Sequence, residues 1–64
     1  MTRYWLNPKS PTAAVSIDLG VSETDARESL VYMGYTEADV ARLLDGVALR
    51  SEDGEVWSVS REML

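Results

Sequence analysis

The chain has 64 residues with eleven acidic and six basic side chains, a formal net charge of −5, and neither cysteine nor histidine. This length allows one hydrophobic core, and the missing residue types exclude disulfides, thiolate or imidazole metal sites and histidine-based catalytic triads. Because every apolar run is far shorter than the roughly 18 residues of a membrane span, we expect a single domain over residues 1–64, in the cytoplasm and with no membrane partner.

The N-terminal segment TRYWL contains β-branched and aromatic residues that favour a strand, which the following NPKSP interrupts. Beyond Pro11, residues 12–19 predict a first helix. The alternation of Val15, Ile17 and Leu19 also fits a strand, so both assignments stay open for this segment.

One pattern then occurs twice, as GVSETDA from Gly20 and as GYTEADV from Gly34. Each glycine is suited to end a helix in a left-handed conformation. The hydroxyl residue two places on, Ser22 or Thr36, is a strong N-cap for the next helix. The repeat therefore predicts two helix-to-helix corners with almost no loop.

Two further helices follow these corners. The predicted second helix covers 23–33 and the third covers 37–45, where it stops at Gly46. Apolar residues recur at helical spacing in both and predict the buried faces: Ala26, Leu30 and Met33 in the second, and Val40, Leu43 and Leu44 in the third.

The stretch VALRSEDGEVWSV predicts a β-hairpin. A two-residue Asp-Gly turn would mix polar and apolar residues on one face, whereas a three-residue loop ending at Gly54 pairs Val47 with Val59 and Leu49 with Trp57. We prefer the second register. The final SREML is expected to be a helical turn or a frayed tail. The fold class is thus α+β: a small three-helix domain with a C-terminal hairpin, beside which the N-terminal segment adds a third strand.

Residues 12–35, which include DLGVSETDARESLVYMGY, resemble a helix-turn-helix, and the hairpin would then be a wing. The resemblance implies a DNA-binding regulator or an antitoxin. It departs from that pattern in charge, because the would-be recognition helix has Glu23, Asp25 and Glu28 against the single Arg27.

The stretch LVYMGYTEADVARLL resembles the loop and following helix of ubiquitin-associated domains. The resemblance implies a docking module in which Met33, Gly34 and Tyr35 would contact the partner. Capping and stapling of the helix ends also explain Gly34 and Tyr35, and core packing is the preferred interpretation.

Catalysis, cofactors and metals are not expected. The neighbouring carboxylates lie at helix starts and a hairpin tip, where such groups are normally solvated. SEDGE is too short to wrap a calcium ion, and so small a domain has little room for a cleft that would shift the pKa of a general acid.

The charge distribution points to protein binding. From Asp18 onwards there are eleven acids and four arginines, a field that disfavours direct nucleic-acid contact. In overall type, without a shared motif, the chain is similar to small phage-encoded anti-CRISPR inhibitors. This resemblance implies a monomer or small homo-oligomer that blocks a basic, nucleic-acid-binding surface, such as that of a type I CRISPR surveillance complex. Trp5 and Tyr32 are candidate apolar anchors. The candidate contact residues are Glu23, Asp25, Glu28, Glu37, Asp39, Glu52, Asp53 and Glu55.

Overall fold

The computed structural model describes residues 1–10 and 15–64, and within them it contains a four-stranded antiparallel sheet and two helices. The strands lie in the order β2-β1-β4-β3. In chain order the elements are β1 (Thr2–Pro8), β2 (Ile17–Gly20), α1 (Glu23–Tyr32), α2 (Glu37–Leu44), β3 (Leu49–Arg50) and β4 (Val56–Met63).

The α+β class is confirmed, but the prediction of three helices is wrong. Ile17–Gly20 forms strand β2, which pairs with β1, and residues 12–14 of the predicted first helix lie outside the described residues. The alternation of apolar and polar residues explains the strand, because Leu19 is buried and Ile17 half-buried, while Asp18 between them is exposed. Gly20, with φ of 110°, therefore ends a strand, and over the described residues 15–20 the helix-turn-helix-like stretch has no helix before its turn.

The two chain ends form the centre of the sheet. β1 pairs with β4 along its whole length, from Thr2 opposite Met63 to Pro8 opposite Trp57. The expectation of a helical turn or frayed tail at 60–64 is therefore wrong, because these residues up to Met63 complete β4. The N-terminal strand is confirmed, and it extends two residues beyond the predicted end.

Both described helices begin and end close to the predicted residues. The Ser22 and Thr36 hydroxyls accept hydrogen bonds from the backbone N–H groups three residues on, at 3.0 and 3.2 Å. Gly34, with φ of 104°, ends α1 in a Schellman motif: its N–H donates to the Val31 carbonyl and the Tyr35 N–H to the Leu30 carbonyl. The corner between α1 and α2 is thus built as predicted.

The hairpin adopts the preferred register. Leu49 pairs with Trp57, and Gly54 closes the three-residue loop with φ of 90°. Val47 precedes β3 and is not part of the ladder, so its predicted pairing with Val59 does not form.

Both helices pack on the same face of the sheet. The buried side chains are Tyr4, Leu6, Leu19 and Val59 from the strands, and Ala26, Leu30, Val40, Leu43 and Leu44 from the helices. Arg61 joins the layers, since its guanidinium donates to the Leu44 carbonyl at 2.6 Å and lies 5.3 Å from the centre of the Tyr4 ring. This arrangement leaves the outer surfaces of the helices and the opposite face of the sheet open to solvent.

Candidate functional site

The eight predicted contact residues do not form one patch. The helices position five of them, and the hairpin loop and its exit position the other three. Intrachain partners divide them further, because a carboxylate that is already bonded within the chain is less available to another protein.

Two of the helix acids form ion pairs along their own helix. Glu23 bonds to Arg27 at 3.3 Å, and Asp39 lies 3.6 Å from Arg42. Both pairs are exposed and connect neighbouring turns, an arrangement that contributes a few tenths of a kcal/mol to a helix. Their charges are largely balanced locally.

The hairpin loop uses two more carboxylates to hold its own shape. Asp53 accepts hydrogen bonds from the Ser51 hydroxyl and, at 2.9 Å, from the Glu55 N–H. These bonds, the Ser51 one above all, hold the pKa of Asp53 below its ordinary value. The Glu55 carboxylate accepts the Ser10 N–H at 2.9 Å and so links the hairpin to the segment after β1.

The four remaining acids, Asp25, Glu28, Glu37 and Glu52, have no side-chain hydrogen bond or ion pair to another described residue. Asp25 nevertheless packs tightly on Gly20, where an added Cβ would lie 2.6 Å from the Asp25 Cβ. Asp25 is exposed as well, but its side chain lies against Gly20; the other three exposed and unpaired carboxylates are those of Glu28 and Glu37 on the helices and of Glu52 on the hairpin loop.

Glu28 and Glu37 line the same groove, which lies between α1 and α2 and has a volume of about 590 Å³. We call it the interhelical groove, and its other lining residues are Arg27, Val31, Tyr32 and Val40. Val40 is fully buried, while Val31 is half exposed. The groove thus combines an apolar surface with one unpaired carboxylate from each helix.

Tyr32 is the most exposed large side chain in this groove, at 93% of its maximum. A tyrosine in the last turn of a helix contributes little to folding when its ring is in water, whereas buried at an interface it supplies much apolar contact and one hydroxyl. Its role as an apolar anchor requires this exposure and stays a prediction. Val31, by contrast, was not predicted, and its position beside the buried Leu30, off the buried face, is the sequence signal that could have identified it.

A second cleft, of about 520 Å³, lies between the α1–α2 corner and the hairpin loop. Tyr35 is half-buried there, and burial, with the nearby charges of Asp39 and Asp53, raises the pKa of its phenol. The phenol is therefore neutral at physiological pH and can donate a hydrogen bond, but it is not an activated nucleophile. Arg50 and Glu52 also line this cleft, so its charges are mixed.

The open face of the sheet holds polar side chains that bond to one another. Arg3 forms an ion pair with Asp18, and the Trp5 indole N–H donates to the Glu62 carboxylate at 3.3 Å. In the same way, Asn7 bonds to Ser60. Trp5 is half-buried within this network, which makes it a weaker candidate for an apolar anchor than Tyr32.

The described residues contain no group of three or more acidic side chains arranged to hold a metal ion. Over the same residues, neither helix has the length and apolar character needed to cross a membrane. Comparison with protein-family models, with curated proteins and with solved structures finds no match to this chain. The interhelical groove is therefore taken as the candidate site on its geometry alone.

Proposed function

We propose that this protein binds a basic surface of another protein, through the interhelical groove, and inhibits that protein by covering a surface that contacts nucleic acid. One observation carries the proposal. The unpaired carboxylates of Glu28 and Glu37 flank an exposed apolar surface that contains Tyr32. Unbalanced carboxylates beside an exposed aromatic ring are suited to a partner that presents lysine or arginine next to apolar side chains.

The electrostatics favour a protein partner over DNA or RNA. The net charge of −5 repels a phosphate backbone, and α2 begins with acidic side chains at the end that would otherwise attract phosphate. A basic surface would be attracted over a distance of about 8 Å at physiological ionic strength. The same field raises the rate of association with a nucleic-acid-binding protein.

Inhibition by this mechanism needs no chemistry. The protein occupies a basic surface and thereby displaces the nucleic acid that the surface holds. Its similarity in overall type to small phage-encoded anti-CRISPR inhibitors makes a type I surveillance complex the first target to test.

The test is a competition assay in which increasing protein displaces labelled target DNA from that complex. The groove variant is the double reversal Glu28→Lys with Glu37→Lys. The control is Glu52→Lys with Asp45→Lys, which changes the net charge equally at two exposed positions outside the groove. We expect the groove variant to lose inhibition at least tenfold and the control to retain it. The midpoint of thermal unfolding checks that both variants fold.

A gel-shift titration of the protein with duplex DNA from its own promoter region separates this proposal from a winged regulator. We expect no binding at physiological salt. Specific binding at nanomolar concentration, weakening as salt rises, would contradict the inhibitor and favour the regulator. Equal inhibition by the groove variant and the control would contradict the assignment of the groove.

A further inference from the structure

The walls of the interhelical groove are made of side chains from two helices. Within α1 and α2 the backbone N–H and C=O groups bond along their own helix. At the corner between them the Thr36 hydroxyl caps the Asp39 N–H, and the Schellman motif engages the N–H groups of Gly34 and Tyr35. An extended strand bound along this groove would find no ladder of free backbone partners, so most of its own N–H and C=O groups would lose their bonds to water. A helix has its backbone hydrogen bonds already made and avoids this cost.

The spacing of the lining residues also fits a helix. On α1, Arg27 and Val31 are four residues apart, as are Glu28 and Tyr32, so each pair forms one ridge along the helix surface. Helices pack by placing such ridges in the grooves of a neighbour. The ten residues of α1 give a ridge about 15 Å long, which accommodates two to three turns of a partner helix.

The charges beside the groove specify the flanks of that helix. Arg27 is engaged by Glu23, so the net charge presented by the groove comes from Glu28 on one helix and Glu37 on the other. A bound helix with lysine or arginine on both sides of its apolar stripe would meet one carboxylate on each flank. A helix with acidic flanks would meet like charges.

We infer that the interhelical groove binds an amphipathic helix of the partner, whose apolar stripe contacts the exposed side chains of Val31 and Tyr32 and whose basic flanks pair with Glu28 and Glu37. The inference rests on the proposed function and specifies the recognition element of the partner. A second copy of this chain does not fit the groove. Its α1 and α2 together have three more acidic than basic residues, so they would bring further carboxylates to a groove that is already acidic.

The test uses two displayed libraries of 15-residue peptides, selected against the immobilised protein. In the first library an alanine-rich background favours a helix, and the positions at helical spacing are varied. In the second, proline at two central positions prevents a helix, and the same number of positions is varied. We expect enrichment from the helical library alone, with apolar residues three and four apart and lysine or arginine on both flanks.

Peptides selected from each library are then titrated into isotope-labelled protein, and amide shifts locate the site. We expect shifts in α1 and α2 around the groove, at least tenfold weaker binding to Tyr32→Ala, and unchanged binding to the control Glu52→Lys. The Glu28→Lys, Glu37→Lys variant should instead prefer a peptide whose basic flanks are exchanged for glutamate. Circular dichroism checks the fold of Tyr32→Ala, which we expect to stay intact because the ring is exposed.

The possible failures are distinguishable. If proline-containing basic peptides bind at the groove as well as helical ones, the helical inference is overturned while the proposed function stands. If no peptide is enriched, or if the selected peptides shift residues only outside the groove, the inference is overturned and the groove loses its support as the site of the proposed function.

Discussion

The two glycines that begin the repeated pattern provide a matched test of the structure. Gly20 and Gly34 both have positive φ, at 110° and 104°. A Cβ at Gly34 would meet no heavy atom within 4 Å, whereas one at Gly20 would lie 2.6 Å from the Asp25 Cβ. Gly34→Ala therefore has the conformational cost alone, about 1 to 2 kcal/mol. Gly20→Ala adds the displacement of Asp25, about 1 to 3 kcal/mol.

The assay is urea unfolding followed by the fluorescence of Trp5 and Trp57. A chain of this length has a total stability of about 3 to 10 kcal/mol, so both losses are measurable provided that the denaturant slope stays constant. The cost of Gly20→Ala is then measured again in a background that has Asp25→Gly, which removes the opposing Cβ; there it should fall to about 1 to 2 kcal/mol, as for Gly34→Ala. Equal losses for the two single variants, or the same loss for Gly20→Ala in both backgrounds, would refute the close approach of β2 and α1 at this point.

Four further outcomes are expected. Thr36→Ala should lower the free energy of unfolding by about 0.5 to 2 kcal/mol through the lost cap, measured by urea unfolding. Ser51→Ala should raise the pKa of Asp53 towards its ordinary value, which a carboxyl NMR titration measures. The lowered pKa of Asp53 stabilises the fold above the ordinary pKa, and this stabilisation is lost as the pH falls. It should therefore be smaller in the variant. Tyr35→Phe should make the urea midpoint less sensitive to alkali. The phenol of Tyr35 has a raised pKa in the folded chain, so it contributes stability that is complete below its ordinary pKa and is lost as the pH rises through the raised pKa. Arg61→Met should lower the unfolding free energy by about 1 to 3 kcal/mol, since it removes a charged donor to the end of α2 and the stacking over a ring, and an unchanged melting temperature would contradict that role.

The helices were predictable because their ends are set by local chemistry. A hydroxyl side chain caps an N–H group three residues further on, and a glycine adopts positive φ directly after the last turn of the preceding helix. Each of these interactions involves residues within six positions of one another in the chain. Both signals are therefore complete in a short stretch of sequence, as at Thr36 and Gly34. The hairpin register was predictable for a similar reason, because loop length alone decides which residues share a face.

The segment before Gly20 was not predictable in the same way. Its alternating Ile17 and Leu19 fitted a strand as well as a helix, and the choice depends on β1, which is more than ten residues away in the chain and offers an unpaired edge. The C-terminal strand also depends on β1, from the opposite end of the chain. Long-range pairing of this kind leaves little trace in local sequence.

The candidate site was predictable in its residue types but not in its grouping. Sequence identified eight acids and the exposed Tyr32, but not that Glu28 and Glu37, on different helices, line the same groove. Glu23 and Glu28 differ in that Glu23 has Arg27 one turn away on its own side of α1, while Glu28 forms no ion pair with another described residue. The i, i+4 spacing of Glu23 and Arg27 is a local signal that the sequence contains, whereas the grouping of Glu28 with Glu37 depends on how α2 packs beside α1.

Under the proposed function, this separation gives the acidic charge two different uses in one small domain. Carboxylates that accept hydrogen bonds within the chain, such as those of Asp53 and Glu55, hold a loop in place, and a partner that engaged them would have to compete with those bonds. Unpaired carboxylates such as that of Glu28 lose only bonds to water when a lysine or arginine approaches. Beside an exposed aromatic ring, part of that water is displaced in any case by apolar contact. Binding to a basic, partly apolar surface is therefore more favourable at the interhelical groove than at the hairpin loop, although the hairpin loop has the denser run of acids in the sequence.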